Sequence, residues 1–244
     1  MSTLLHIFDG AQIRQLPDVH ALLTAFLEQG VVTDLYDQEP KELHGLGPIA
    51  GELSDQQVHQ LYALLNQRPD GTVHAYLSRA ELKPDVATHA AIAHLRKQLF
   101  MRFSDGQRFF LRFSDTRVLG VLPQVMNPLQ WGQFTEPFQS WAYQGRNGKL
   151  KVMPMASTFG EGASGGRDWT DQQLAVLLDL TWPDTLLAEV LEVKPDWMAQ
   201  ASHGEHHARV TQVFQAAKKQ NKADDLPWQM QRCLELPIAT GAEP

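Results

Sequence analysis

Residues 100–120, FMRFSDGQRFFLRFSDTRVLG, contain Arg-Phe-Ser-Asp twice, ten residues apart. Asp105-Gly106 separates two Phe-rich runs, and an Asp-Gly pair in that setting favours the tight turn of a β-hairpin. The first copy therefore ends one strand at the turn. The second copy ends the partner strand, where Asp115 or Ser114 is suited to cap a helix that begins near Arg117. The repeat thus predicts one hairpin followed by a helix, and not a duplicated site.

The second strand of this hairpin, residues 107–113, is largely apolar on both faces, so we expect it to be covered on both sides. Arg112 would then need a carboxylate partner, because an unpaired buried charge is strongly destabilising. Asp9 and Asp115 are the two candidates, and the sequence does not choose between them. Asp9, Asp105 and Asp115 could also surround a cation, but each has a turn or capping role that explains it.

Upstream of the hairpin, short apolar runs alternate with helical patterns. Residues 4–8 and 31–36 are typical of strands, and they flank a helix that begins at Asp18 and ends at Gly30. This spacing indicates a parallel β-α-β pair. Further along, Ser54 begins a capping box and Pro84 suits the first turn of another helix, so two more helices are expected.

Downstream of the hairpin, the character of the sequence changes at residue 156. Before it, residues 138–155 predict a second hairpin that turns at Asn147-Gly148. Residues 156–168 are rich in Gly and Ser and indicate a linker. After it the patterns are helical. The helix starts are a capping box at Thr170, Pro183, the end of the His cluster at 203–207, and Asp224 with Asp225.

The expected fold is therefore α+β or α/β, with a mixed N-terminal α/β lobe built on a small sheet and an all-helical C-terminal lobe. We place the N-terminal lobe at residues 1–155, the linker at 156–168 and the helical lobe at 169–244.

Charge and composition restrict the classes of function. The formal net charge of −7 argues against a dedicated surface for nucleic acid or for anionic membranes, because neutralising phosphates requires clustered Lys and Arg. Cys233 is the one cysteine and lies among apolar neighbours, so we expect a core residue and no intrachain disulfide. The N-terminus lacks the basic segment of a signal peptide, and no apolar run approaches the roughly 20 residues of a membrane span. The cytoplasm is the expected location.

One catalytic pattern has to be weighed. Residues 162–166, GASGG, match the G-x-S-x-G motif of serine hydrolases with Ser164 as nucleophile, and acidic residues and the His cluster at 203–207 follow in the order those enzymes use. The motif needs a direct strand-to-helix turn, whereas here the next helix begins only at Thr170. The same glycines match a dinucleotide fingerprint but do not lead into a helix N-terminus. A serine hydrolase is therefore the alternative, not the first choice.

The His cluster itself, residues 203–207 (HGEHH), could place His203 and His207 one helical turn apart, a spacing that zinc can use. The cluster lacks the H-E-x-x-H order, and no cysteine lies nearby. We therefore expect solvent-exposed polar residues at a helix start, and no metal site.

Six stretches occur in an order that resembles a known family. They are 4-LLHIFDG-10, 34-DLYD-37, 45-GLGPIAGEL-53, 111-LRFSDTRVL-119, 134-FTEPFQSW-141 and 169-WTDQQLAVL-177. Their order resembles the effector-chaperone adaptors of bacterial type VI secretion, a family long catalogued as a conserved domain of unknown function. The most specific stretch is 111–119, which is similar to the family's Leu-Arg-Phe-Tyr-Asp-Pro-Arg-Val-Leu core. Ser114 stands where that core has Tyr, and Thr116 where it has Pro.

The resemblance implies a set of candidate residues, either structural or partner-binding. They are Asp9 in the first stretch and, in the core, Leu111, Arg112, Phe113, Asp115 and Arg117. It also implies a non-enzymatic adaptor, without cofactor or metal, that binds a toxic effector in the cytoplasm and loads it onto the C-terminal region of the spike protein VgrG.

Two lobes suit such an adaptor, because it must hold two different proteins at once. We expect effector and spike to contact both lobes across a shared cleft. An isolated fragment of roughly residues 1–155 is then expected to fold, but to bind effector more weakly than the full chain.

Overall fold

The structure, a computed structural model, describes residues 3–65, 77–146, 149–155 and 166–235. Its main sheet has six strands: β1 (Leu4–Asp9), β2 (Val32–Asp34), β3 (Pro48–Glu52), β4 (Leu77–Leu82), β7 (Phe138–Gln144) and β8 (Leu150–Val152). The spatial order is β2-β3-β1-β4-β7-β8, and each neighbouring pair is antiparallel. A separate two-stranded sheet pairs β5 (Phe100–Arg102) with β6 (Arg108–Phe110).

Ten helices accompany the strands in the described part of the chain. Seven precede the last hairpin: α1 (Gly10–Ile13), α2 (Pro17–Glu28), α3 (Asp55–Leu65), α4 (Thr88–Lys97), α5 (Thr116–Leu119), α6 (Leu122–Val125) and α7 (Pro128–Thr135). Three follow it: α8 (Asp171–Val193), α9 (His203–Lys219) and α10 (Leu226–Glu235). A sheet-based N-terminal part and a helical C-terminal region make an α+β fold, as expected from the sequence.

The main sheet is covered on both faces, and the side chains of β1 point alternately into the two cores that cover it. Phe8 packs with α2 and α3 in one core, whereas Leu5 and Ile7 belong to a larger core on the opposite face. That larger core contains five deeply buried aromatic side chains, which are Phe113, Trp131, Phe134, Phe138 and Trp141. The two covered faces thus explain why four of the six residues of β1 are apolar.

The predicted parallel pair is wrong. β1 and β2 run in the same direction, but β3 lies between them and pairs with both in the antiparallel sense. β3 was missed because Pro48-Ile-Ala-Gly-Glu is short and contains two residues that are poor strand formers. Gly51 is required there, since a Cβ at this position would lie 2.4 Å from the Val31 carbonyl oxygen.

Both predicted hairpins are confirmed, with one correction. β5 and β6 pair across Asp105-Gly106, and β7 pairs with β8; the turn Asn147-Gly148 lies outside the described residues. The strand that we expected to be covered on both sides is only Arg108–Phe110, and Phe109 is 45% exposed. Among the described residues β6 pairs with β5 alone, and the exposure of Phe109 shows that one face of β6 is open to solvent.

Two proline-based helix starts are wrong, while the capping boxes are confirmed. Ser54 and Thr170 cap α3 and α8 as predicted. Pro84 lies in a turn, and α4 begins at Thr88. Pro183 does not open a helix but lies buried inside α8, which continues through it. α10 begins at Leu226, directly after the predicted Asp224 and Asp225.

α8 contributes to two cores. Its first half, with Leu174, Leu177 and Leu180, packs on the larger core of the sheet. Its second half forms a third core with α9 and α10, consisting of Leu186, Leu187, Val190, Trp197, Val210, Val213 and Cys233. Cys233 is fully buried, which confirms the core assignment. The boundaries at 155 and 168 stay a prediction. No helix in the described ranges is long and apolar enough to cross a membrane.

Candidate functional site

Four of the six candidate residues form one ion-pair network at the end of β1. Arg112 Nη2 lies 3.2 Å from Asp9 Oδ2 and 3.8 Å from Asp115 Oδ2, so the two alternatives left open by the sequence are both realised. Arg117 binds Asp115 in a bidentate manner, with Nε 2.9 Å from Oδ1 and Nη2 2.6 Å from Oδ2. Ser114 Oγ donates to Asp9 Oδ2 at 3.4 Å. The network therefore runs from Asp9 through Arg112 and Asp115 to Arg117.

Local backbone structure holds the two carboxylates in place. Asp9 caps α1 by accepting from Gln12 N at 2.9 Å, and Asp115 caps α5 by accepting from Arg117 N at 3.0 Å. Both helices are single turns, so these caps fix the direction of each carboxylate. The predicted capping role of Asp115 is thus confirmed.

Burial is unequal across the network and shifts its protonation. The side chains of Asp9 and Asp115 are 2% and 4% exposed, whereas that of Arg112 is 48% exposed. Burial raises the pKa of Asp9, and the nearby charge of Asp115 adds to this, while Arg112 opposes it. Burial alone would lower the pKa of Arg117, but the bonds to Asp115 outweigh burial and raise it. The guanidinium of Arg112 is therefore accessible to solvent, whereas the Asp9 carboxylate that it binds is buried.

The two remaining candidates anchor the network to the core. Leu111 and Phe113 are 2% and 0% exposed, and they alternate with Arg112, which points outwards. Phe113 makes edge-to-face contacts with Phe134 and Trp141, at centroid distances of 5.5 and 6.4 Å. Apolar burial on either side therefore determines where the Arg112 guanidinium lies.

The glycine-rich stretch at 45–53 also reaches this end of the sheet. Gly10 N donates to Gly47 O at 3.0 Å, and a Cβ on Gly10 would lie 2.4 Å from Gly45 O. Asp34 accepts from Gly45 N at 2.7 Å, which ties in the stretch at 34–37. The structure thus brings together four of the six stretches on which the sequence resemblance depends: 4–10, 34–37, 45–53 and 111–119.

A family model described as "Domain of unknown function (DUF4123)" matches residues 6–133, which is more than half of the 244 residues. The chain belongs to the DUF4123 family. This family is associated with adaptors for type VI secretion effectors. Neither the curated proteins nor the solved structures contain a match to the chain. The ion-pair network lies within the DUF4123 match, whereas β7, β8 and the last three helices follow its end.

A second ion-pair group lies just beyond the DUF4123 match and joins the β7–β8 hairpin to the helical region. Arg146 binds Asp184 through Nε at 2.8 Å and through Nη2, and Nη2 also lies 3.5 Å from the carbonyl oxygen of Arg117. His207 Nε2 on α9 lies 3.5 Å from Asp184 Oδ1. Burial alone would raise the pKa of Asp184, but His207 and Arg146 hold it well below its usual range. The Asp184 carboxylate is therefore ionised, and it connects the β7–β8 hairpin, α8 and α9.

These residues border a pocket of about 220 Å³ between the sheet and the helices, which we call the cationic cleft. We define it by Arg117, Tyr143, Arg146, Lys151, Gly204 and His207. None of the described residues that line the cleft is acidic. The carboxylates of Asp115 and Asp184 bind the two arginines and are only 4% and 9% exposed. The cleft therefore presents cations to its opening, an arrangement suited to carboxylate or phosphate groups.

The structure corrects the expectation for the His cluster. His206 is 1% exposed and packs on Trp197 at a centroid distance of 4.1 Å, and His207 is half-buried beside Asp184. The cluster begins α9, but His206 faces the protein interior and His207 borders the cationic cleft, so the two are not free polar side chains on an exposed surface. No group of three or more potential metal ligands occurs within the described ranges. Asp105 accepts a hydrogen bond from Gln107 N within the β5–β6 turn, which agrees with its predicted turn role. Ser164 lies outside the described residues.

Sequence reasoning missed the cationic cleft. Arg146 and Asp184 are separated by 38 residues, and no periodic pattern connects them. The one available indication was that Arg146 comes directly before the predicted turn, which places it at the end of a strand.

Proposed function

We propose that this chain is a non-enzymatic adaptor that binds a type VI secretion effector in the cytoplasm and loads it onto the C-terminal region of the VgrG spike. The observation that carries the proposal is the DUF4123 match over residues 6–133, because that family is associated with effector adaptors. In this proposal the partners are two proteins, and the chain uses no cofactor, metal or nucleic acid.

The surface of the chain is suited to protein partners. Apolar side chains are exposed on β8 and on α8, where Leu150, Val152, Leu178 and Val193 are 59%, 66%, 58% and 68% exposed. The cationic cleft is lined by Lys151 of β8, and Arg146 in it binds Asp184 of α8. Apolar anchors beside a charged opening are a common composition for a protein–protein interface.

Co-purification tests the proposal. The effector encoded beside this chain is expressed with a tag, with and without the chain, and with the C-terminal region of the spike. We expect the chain to co-purify with the effector and to be required for a complex that also contains the spike. An effector that reaches the spike equally well without the chain would refute the adaptor function.

A Ser164→Ala variant, assayed for killing of competitor cells, tests the serine hydrolase alternative. In an adaptor, Ser164 has no nucleophilic role, so we expect Ser164→Ala to support effector-dependent killing of competitor cells as the unmodified chain does. Loss of killing, with the variant folded and abundant, would favour a serine hydrolase instead.

A further inference from the structure

We propose that the β8 edge and the cationic cleft together bind an extended, acidic segment of the effector, which adds to the main sheet as a seventh strand. This inference rests on the proposed adaptor function. It names the chemistry of the bound segment: acidic side chains on the face of the sheet that carries the cleft, and apolar side chains on the other face.

The first observation is the free edge of β8. β8 is the last strand of the main sheet within the described residues. Met153 N donates to Trp141 O, and Gly145 N donates to Lys149 O, so the backbone groups of residues 149, 151 and 153 face β7. Those of Leu150 and Val152 therefore point away from β7. No described residue pairs with their N–H and C=O groups, so an added strand could form hydrogen bonds with them.

The second observation is that the two faces beside this edge differ chemically. Lys151 pairs with Tyr143, and both side chains border the cationic cleft. A second groove, of about 210 Å³, lies beside β8 and is lined by Tyr62, Leu77, Arg79, Ala142, Tyr143, Gln144 and Leu150, of which Arg79 and Gln144 are polar. Ala142 and Leu150 belong to the face opposite to that of Lys151 and Tyr143. Side chains of an added strand alternate between the two faces, so each acidic residue would be flanked by apolar ones.

The third observation is the hydrogen-bonding capacity of the two arginines. Arg117 and Arg146 use Nε and Nη2 to bind the carboxylates behind them. The Nη1 group of each makes no hydrogen bond to any described residue, so both can donate to a ligand in the cleft. Lys151 likewise forms no ion pair with a described residue, and the first turn of α9 at Gly204 adds a weak positive potential. A carboxylate in the cleft would therefore meet several cations at once.

Protein carboxylates fit this site better than the phosphates of a nucleic acid. The cleft has room for one or two side chains, and the neighbouring groove is largely apolar, whereas the formal net charge of the chain is −7. We assign the segment to the effector and not to the spike, because most of the cleft follows residue 133, where the DUF4123 match ends. In the proposed function we take the effector to be the partner that differs from one adaptor to the next, and so assign to it the residues beyond the family match.

Two substitutions, each with a matched control, test the proposal in the full chain with the tagged effector. Lys151→Glu reverses a charge at the cleft, and Lys83→Glu makes the same change at an exposed position at the opposite end of the sheet. Val152→Pro removes an N–H that points to the free edge, without removing a β7–β8 hydrogen bond, and Val152→Ala retains that N–H.

We expect Lys151→Glu and Val152→Pro each to weaken capture of the effector by roughly tenfold or more, while both controls and binding of the spike stay as in the unmodified chain. Circular dichroism melting curves confirm that all four variants are folded. If either test variant captures effector normally, or if spike binding is lost instead, the proposal is wrong while the adaptor function stands. If the unmodified chain captures no effector, the adaptor function fails and this proposal fails with it.

Discussion

Arg112 and Asp9 form an ion pair with one exposed and one buried partner. The sequence suggested a fully buried pair, whose disruption would cost about 3 kcal/mol or more. Since 48% of the Arg112 side chain is exposed and Asp115 retains Arg117, we expect Arg112→Ala to lower the free energy of unfolding by only about 1–2 kcal/mol near neutral pH. Urea unfolding measures this cost, with Arg102→Ala, an exposed arginine on β5, as the control.

The cost of Arg112→Ala should also depend on pH. Burial raises the pKa of Asp9 in the folded chain, and loss of Arg112 raises it further. Once Asp9 is protonated, it no longer needs a cation, so the variant and the unmodified chain converge in stability as pH falls. We expect a smaller cost at about pH 4 than at about pH 7.5. An equal cost at both values would show that Arg112 acts on stability through another contact.

His6 offers a second residue-scale prediction. It is 2% exposed on β1, and neither ring nitrogen has a hydrogen-bond partner within the described structure. Burial, together with the charge of Arg79, lowers its pKa from 6.5 to about 4. The unfolded chain therefore takes up a proton at a higher pH than the folded chain. Stability is retained above pH 6.5 and falls by about 3 kcal/mol as pH decreases to 4.

The variant His6→Leu removes this titratable group and fills the same buried position with an apolar side chain of similar volume. We expect its stability to fall less than that of the unmodified chain between the same two pH values, as measured by urea unfolding across a pH series. His59→Leu, a substitution at an exposed histidine of α3, is the matched control. If both variants follow the unmodified chain, acid sensitivity originates elsewhere.

Some residue contacts could be predicted from the sequence and others could not. An arginine flanked by buried apolar residues had to find a carboxylate, and Asp9 and Asp115 are its partners. The Arg146–Asp184 pair depends on how the last hairpin packs against α8, and a sequence carries no local trace of such packing. The burial of His206 depends in the same way on Trp197, which lies in the preceding helical turn.

At the scale of elements, strong local chemistry was predicted correctly and marginal segments were not. The capping boxes at Ser54 and Thr170 begin helices because the cap and its third helical residue satisfy each other's backbone groups. Pro183 was taken for a helix start, yet α8 continues through it with buried leucines on both sides. Packing of the long apolar face thus outweighs the hydrogen bond that proline removes.

The two capping boxes allow a matched element-scale prediction. Gln57 and Gln173 both accept from the backbone N–H of their cap residue, but Gln173 Nε2 also donates to Val125 O at 2.9 Å and to Gln130 Oε1 at 2.7 Å. We expect Gln173→Ala to cost about 2 kcal/mol and Gln57→Ala about 0.5–1 kcal/mol, because only the former unties α8 from α6 and α7. Chemical denaturation compares the two, and equal costs would mean that the bonds of Gln173 to the sheet-based part add no stability.

At the scale of the whole molecule, α8 connects parts that the sequence divides. The composition suggested a joint at residues 156–168, and residues 156–165 lie outside the described structure. Trp169 nevertheless packs in the larger core, and its N–H donates to Arg102 O at 2.7 Å. The helical region therefore completes the core of the sheet-based part, and a single continuous helix carries on into the third core.

Trp169 tests whether this shared helix couples the two regions. Trp169 is 6% exposed, so we expect Trp169→Ala to cost about 3–5 kcal/mol through the cavity it leaves in the larger core. If α8 transmits that loss, near-ultraviolet and far-ultraviolet circular dichroism will show one transition, shifted as a whole to lower urea. A fragment of residues 1–155 lacks Trp169 and the first half of α8, so it should unfold at lower urea than even the Trp169→Ala chain. Two separate transitions, with only the transition of the sheet-based part shifted, would instead mean that the helical region is stable by itself. The first half of α8 could then unfold separately from the second half, with the division at Pro183.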